Sequence, residues 1–177
     1  MATQVIVSAI GKDRPGIVHK LSNAVWENGG NITVQRSVKL GGEFAIIVMF
    51  SADLAGGADT LLAKLNALGD EQLQVSARLT ETGVQADENL RELKVSGADQ
   101  PGIINTLALF LLEHGLNIQA MDYTTASAPF TAAPIFNASI LVSLSEGSDF
   151  EKVRENLRVV ELDLNIDVEI EKSAPHS

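Results

Sequence analysis

Two stretches of this chain are written almost alike. GKDRPGIV occupies Gly11 to Val18, and GADQPGII occupies Gly97 to Ile104. At an offset of 86 residues, Asp13 falls on Asp99, Pro15 on Pro101, Gly16 on Gly102 and Ile17 on Ile103. The match runs on: Leu21 meets Leu107, Glu27 meets Glu113, Gly29 meets Gly115, Asn31 meets Asn117 and Ile32 meets Ile118. A Pro-Gly pair can recur by chance, but this many coincidences in one register do not. The 177 residues therefore comprise two copies of one unit of about half that length, a size at which small domains fold. The expected division is a first domain over 1–83, a polar linker over 84–89, a second domain over 90–172 and a tail over 173–177.

Hydrophobic periodicity predicts the same elements in each copy. Val5 to Ile10 is rich in β-branched residues and reads as a strand. Ile17, Leu21, Ala24 and Val25 recur at helical spacing, and Gly29-Gly30 stops that helix. From Ile32 to Leu40 the period changes to two, with Arg36 out of parity. Gly41-Gly42 suits a two-residue hairpin turn before a return strand from Phe44 to Phe50. Leu61, Leu62, Leu65 and Leu68 mark a second helix, and Leu73, Val75, Ala77 and Leu79 a fourth strand. The second copy repeats the order, with strands near Leu93–Gly97, Ile118–Thr125, Ile135–Ser145 and Ile166–Ile170. Its helices are expected near Gly102–His114 and Asp149–Leu162, the latter opened by a capping box over Ser148–Glu151. Ala126 to Pro134 replaces the tight hairpin turn with a longer, mobile loop.

The order βαββαβ, with two right-handed crossovers, puts both helices on one face of an antiparallel four-stranded sheet. The fold class is thus α+β, two tandem ferredoxin-like units. Simple alternation would place Ala45, Ile47 and Met49 on the other face, beside Gln35, Ser37 and Gln74; Ile47 and Met49 there hint at contact with a partner.

The corner Asp13-Arg14-Pro15-Gly16 sets a helix N-terminus directly after a strand. Asp13 is expected to cap the helix by accepting the Gly16 N–H, and Pro15 suits a first turn that needs no N–H. The first turn offers unpaired N–H groups at the positive end of the helix dipole. Gly16 lets a guest approach, and the Asn31 amide can donate and accept. An amino acid suits such a place, its carboxylate on the loop N–H groups and its ammonium on acceptor oxygens. The plainer reading makes Asp13 only a cap, Gly16 only a packing glycine and Asn31 only a turn residue, and physics alone ranks it first.

Composition narrows the function classes. Formal net charge is -10, which argues against direct nucleic-acid binding. It is uneven: residues 1–86 carry -1 and residues 87–177 carry -9. With no cysteine there are no disulfides and no thiolate metal sites. His19, His114 and His176 share no repeat position and no ligand spacing, so no metal and no cofactor is expected. No nucleotide-binding glycine loop or Ser/His/Asp motif suggests catalysis, and no catalytic residue is proposed. The run Val5-Ile6-Val7 is too short for a leader or a membrane span, so a cytoplasmic protein without membrane contact is expected. Trp26 is expected to serve packing only.

The pattern D-R-P-G-I-V, a periodic helix and then G-G-N-I resembles an ACT domain. Two such domains and little else resemble the glycine cleavage system transcriptional repressor family. The resemblance implies a regulator rather than an enzyme. It would sense a small amino acid, glycine or serine, and act through contact with a protein such as a DNA-binding activator. It implies ligand contacts from Asp13, Gly16, Ile17 and Asn31 in the first copy, and from Asp99, Gly102, Ile103 and Asn117 in the second. It also implies units paired side by side with ligands between them, and a homodimer is among the assemblies it allows. Gln100 in place of Arg14 makes the two corners chemically unequal. Three alternatives stand beside this reading. One is an ACT pair that regulates a metabolic enzyme, and another is an assembly module without ligand. The third is a small ferredoxin-like hydrolase using Arg14 with Asn31.

Overall fold

The computed structural model describes residues 3–53, 57–80, 89–127, 134–144 and 150–172. Residues Met1–Gln85 and Ala86–Ser177 form two compact units. The expected linker lies outside the described residues except for Asn89, as do the tail, the capping box before Phe150 and the centre of the loop before Pro134.

In the first unit, strand β1 (Thr3–Lys12) leads to helix α1 (Ile17–Glu27), then strands β2 (Asn31–Leu40) and β3 (Glu43–Ala52). Helix α2 (Ala58–Asn66) and strand β4 (Leu73–Thr80) complete it. The sheet order is β2-β3-β1-β4, all neighbours antiparallel. Inward residues of the sheet, Val5, Val7, Ile46, Val48 and Phe50, join Ile17, Leu21 and Val25 of α1 and Leu61 and Leu65 of α2 in one buried cluster. Both helices therefore cover the same face, as the predicted order requires. Gly41 and Gly42 both take positive φ, 57° and 89°, the two left-handed residues that a tight hairpin turn needs.

The second unit repeats this with β5 (Leu90–Ala98), α3 (Ile103–Glu113), β6 (Leu116–Ser127), β7 (Pro134–Leu144), α4 (Phe150–Leu164) and β8 (Ile166–Lys172). Its sheet order, β6-β7-β5-β8, is the same. Phe136, Ile140 and Val142 pack with Leu107, Leu111 and Leu157.

One feature overturns the expected alternation. Between Ile32 and Val34 the pairing of β2 with β3 shifts by one residue, and between Ile118 and Ala120 the pairing of β6 with β7 does the same. A single inserted residue moves every later side chain to the other face. Ile32 still faces the core opposite Phe50, but Val34 stands opposite Met49, Arg36 opposite Ile47 and Val38 opposite Ala45. The helix-free face thus carries Val34, Arg36 and Val38 rather than Gln35 and Ser37, and Arg36 keeps its parity. The expected placement of Ala45, Ile47 and Gln74 on that face holds. Trp26 also departs from expectation: it is 74% exposed and packs into no core.

Candidate functional site

Each strand-to-helix corner is held from two sides. At the end of β1, the Lys12 N–H donates to the Gln72 carbonyl at 3.0 Å and the Asp13 N–H to the Gly42 carbonyl at 2.9 Å. The chain thus turns between the hairpin and the approach to β4. Gly16 then takes φ 96°, ψ -7°, and α1 begins at Ile17. The first helical bond runs from the Lys20 N–H to the Gly16 carbonyl at 2.8 Å. The N–H groups of Ile17, Val18 and His19 precede it and have no acceptor within the helix. Gly16 is exposed, and a Cβ built on it would meet no atom within 4 Å. Gly102 repeats the geometry, with φ 94°, ψ -7°, open space above it and a Thr106 N–H bond of 2.9 Å to its carbonyl. The duplicated corner is therefore an open, positively polarised turn in both units.

The aspartates are not caps. In both helices the N-cap is the glycine, with no side-chain capping bond. The left-handed glycine sets the helix start three residues beyond the aspartate, out of reach of the usual bond to the second or third helical N–H. Asp13 instead pairs with Lys39 of β2, Nζ to Oδ2 at 2.5 Å. Asp99 accepts a 2.6 Å hydrogen bond from the Tyr123 hydroxyl of β6. That hydrogen bond, with some burial, raises the Tyr123 pKa above its ordinary value. The Tyr123 ring stacks on Phe136, centroids 5.7 Å apart. Sequence reasoning missed both partners, because the bulge decides which β2 and β6 side chains face the corner side.

Arg14 and Gln100 tie the two corners down by different chemistry. Arg14 forms an ion pair with Asp70, which Lys20 also approaches at 3.5 Å. The Gln72 N–H, donating at 3.0 Å, and the Arg14 guanidinium hold the Asp70 pKa below its ordinary value. In the second unit the Gln100 amide donates to the Leu164 carbonyl at 2.7 Å. Arg14 is thus a structural strap, and the pairing of Arg14 with Asn31 supposed by the hydrolase alternative is not present.

The remaining candidates divide. Ile17 and Ile103 are buried, 4% and 2% exposed, so only their backbone can meet a ligand. Asn31 pairs with Ser51 and Asn117 with Ser143, both at the end of the sheet opposite the corner. An 11-residue helix, about 16 Å long, separates Gly16 from Asn31 within one unit. The structure therefore brings Asp13, Gly16 and Ile17 together, and likewise Asp99, Gly102 and Ile103, but leaves Asn31 and Asn117 at the far ends of their own units. Among the described residues no group of three His, Asp or Glu side chains is placed to hold a metal. His114 bridges helices instead, its Nδ1 2.8 Å from the Phe110 carbonyl and its Nε2 accepting from Asn156 at 2.9 Å. No helix among the described residues is long and apolar enough to cross a membrane.

Residues 3–76 match the family model described as the ACT domain. The first unit is an ACT domain. The second has the same element order and sheet order, and is a second ACT-type unit. The tandem is 24% identical over 164 residues to the glycine cleavage system transcriptional repressor of Escherichia coli (strain K12), covering 91% of this chain and 85% of that protein. A crystal structure of an unknown protein from Galdieria sulphuraria is 29% identical, with a TM-score of 0.84 over 98% of this chain and 100% of that one. A second solved structure, provisionally assigned to the same kind of repressor, is 20% identical with a TM-score of 0.69, a likeness of fold. These likenesses support a regulatory role for the ACT pair.

Proposed function

We propose that this ACT pair is a cytoplasmic, non-catalytic regulator. It responds to a small amino acid, glycine or serine, and acts through contact with a protein such as a DNA-binding activator in glycine and one-carbon metabolism. The observation that carries the reading is the open glycine corner at both helix N-termini, repeated with the same backbone angles. A ligand carboxylate over Gly16 or Gly102 would accept the exposed first-turn N–H groups at the positive helix end. The small size of glycine and serine suits a guest that must lie against a backbone. Similarity to the glycine cleavage repressor supplies the regulatory context. The net charge of -10 favours a protein partner over direct contact with DNA.

The geometry sets one condition on this reading. Asn31 and Asn117 can serve a ligand only at the corner of another unit, because neither reaches the corner of its own. A homodimer is one assembly that would supply such a corner. Asp13 and Asp99 supply carboxylate oxygens beside the corner, one neutralised by Lys39 and the other hydrogen-bonded by Tyr123. The second corner thus keeps more negative charge for a ligand ammonium.

Calorimetry with glycine, serine and larger amino acids tests this. The expected affinity is roughly micromolar to millimolar, about -8 to -4 kcal/mol. Gly102→Val places a side chain where the ligand must lie, and Asn31→Ala or Asn117→Ala removes the polar contact, so each should weaken binding. No heat of binding and no rise in melting temperature with any small amino acid would overturn the sensing role.

A further inference from the structure

The two units share a backbone, so each is a control for the other. Across the helix-free face of the first sheet, one row runs Arg36, Ile47, Ser8, Ser76 and the next runs Val38, Ala45, Ile10, Gln74. The same rows in the second sheet read Asp122, Ser139, Lys94, Glu169 and Thr124, Asn137, Ser96, Asp167. In these two rows every aliphatic of the first face is replaced by a polar residue, and the arginine by a carboxylate. The fold does not need apolar residues in these rows, because the second unit builds the same sheet with polar ones there.

Both faces are concave; the second encloses about 470 Å³ lined largely by polar and charged residues, and the first is the larger. It encloses a concavity of about 650 Å³, floored by Ile10, Val38, Ala45 and Ile47. That volume lies within the range of small-molecule sites. Ile10, Val38 and Ile47 are 54%, 48% and 45% exposed, an apolar floor open to solvent. Arg36 stands at its edge on β2 and makes only a 3.4 Å bond to the neighbouring Gln35 carbonyl. No carboxylate pairs with Arg36 among the described residues. By contrast, Lys94 at the equivalent of Ser8 is paired with Glu171 at 2.8 Å, and Ser139 at the equivalent of Ile47 donates to Glu92 at 2.7 Å. On the second face Lys94 and Ser139 already have carboxylate partners, whereas the first presents a guanidinium with none among the described residues, beside exposed hydrocarbon.

We propose that this face of the first unit binds an aliphatic monocarboxylate. The carboxylate takes the Arg36 guanidinium, whose paired N–H groups match two oxygens. The hydrocarbon chain lies across the strands over Ile47, Ala45 and Ile10. Four strands span about 14 Å, so a medium-length chain reaches from Arg36 to the β4 edge. Ser8 and Gln74 interrupt the floor with polar groups that limit its apolar width. The site is separate from the glycine corners and does not depend on amino-acid sensing. The second unit, with Asp122, Asp167 and Glu169 on the corresponding face, repels the same ligand.

Titration of the isotopically labelled full-length protein with octanoate, below its micelle-forming range, tests the proposal. Saturable shifts are expected at Ser8, Ile10, Arg36 and Ile47, and none on the second sheet. Arg36→Gln should weaken binding by about tenfold or more, the loss of one charge-assisted pair. Octanamide, which lacks the charge, should bind the wild type as weakly as octanoate binds the variant. Ile47→Asp should abolish binding, and because Ile47 is exposed the fold should persist; Arg36→Gln tests the charge without touching the floor. The proposal falls if octanoate gives no saturable shift, or if Arg36→Gln binds it equally. It falls too if the wild type sediments as a dimer that Ile47→Asp turns into a monomer, since the face would then be an interface between copies.

Discussion

Tyr123 donates its hydroxyl hydrogen to Asp99 across 2.6 Å, fastening the second glycine corner to the strand that the repeat places beside it. In the first unit Lys39 does the same work for Asp13 with a charge. The corner aspartates are thus anchored from the neighbouring strand, and the helix start is left open.

Tyr123 is the only tyrosine in the chain, so its titration can be followed alone by phenolate absorbance. Its midpoint should lie above the ordinary tyrosine value of about 10, because ionisation would set a phenolate against Asp99. Asp99→Asn should bring the midpoint down. The raised folded pKa gives a stabilisation that is complete below the unfolded value and is lost as pH rises through the folded one. Melting of the second unit should therefore weaken in strong alkali, and Tyr123→Phe should flatten that dependence. A midpoint at or below the ordinary value would contradict the Tyr123–Asp99 bond.

Asp70 sets the acid side. The Gln72 N–H and Arg14 hold its pKa below the ordinary value, so its contribution is present above the unfolded pKa and is lost as pH falls through the folded one. Thermal melts of the first unit should lose stability in that acid window. Asp70→Asn should be less stable at neutral pH and less sensitive to acid. A wild-type melt that follows the same acid profile as Asp70→Asn would count against the strap.

Gly11 and Gly16 look alike in sequence but differ in what they permit. A Cβ on Gly11 would stand 2.0 Å from the Gln72 carbonyl oxygen, where β1 meets the start of β4. Gly11→Ala should cost about 3 kcal/mol through that backbone clash. At Gly16 the only cost is the positive φ, so Gly16→Ala should lose about 1 kcal/mol. Chemical denaturation of the two variants gives the comparison, and equal losses would refute it.

Trp26 should fluoresce as a water-exposed indole in the folded protein. Unfolding should shift its emission little, so circular dichroism rather than tryptophan emission should follow the melt. A strong blue shift in the native protein would mean that something covers this helix face in solution.

The glycine pairs and the apolar spacing were legible because they act locally. Gly41-Gly42 could only make a tight turn, and Ile17, Leu21 and Val25 could only share one helix face. The bulges at Thr33 and Gln119 were not legible. Neither residue type demands one, and the extra residue is seen only in which partner each side chain meets on the next strand. That single shift hid the apolar face around Arg36, and it concealed that Lys39 and Tyr123 would reach the corner aspartates.

By itself the sequence determined that one βαββαβ unit is made twice, and that each copy turns from strand to helix through an exposed glycine. Repetition and periodicity encode those facts in near neighbours along the chain. Only the tertiary structure decided that the corner aspartates are not caps, that Arg14 is spent on Asp70, and that Asn31 lies a helix length from Gly16. Those relations join residues from distant segments, and pairing register sets them rather than local preference.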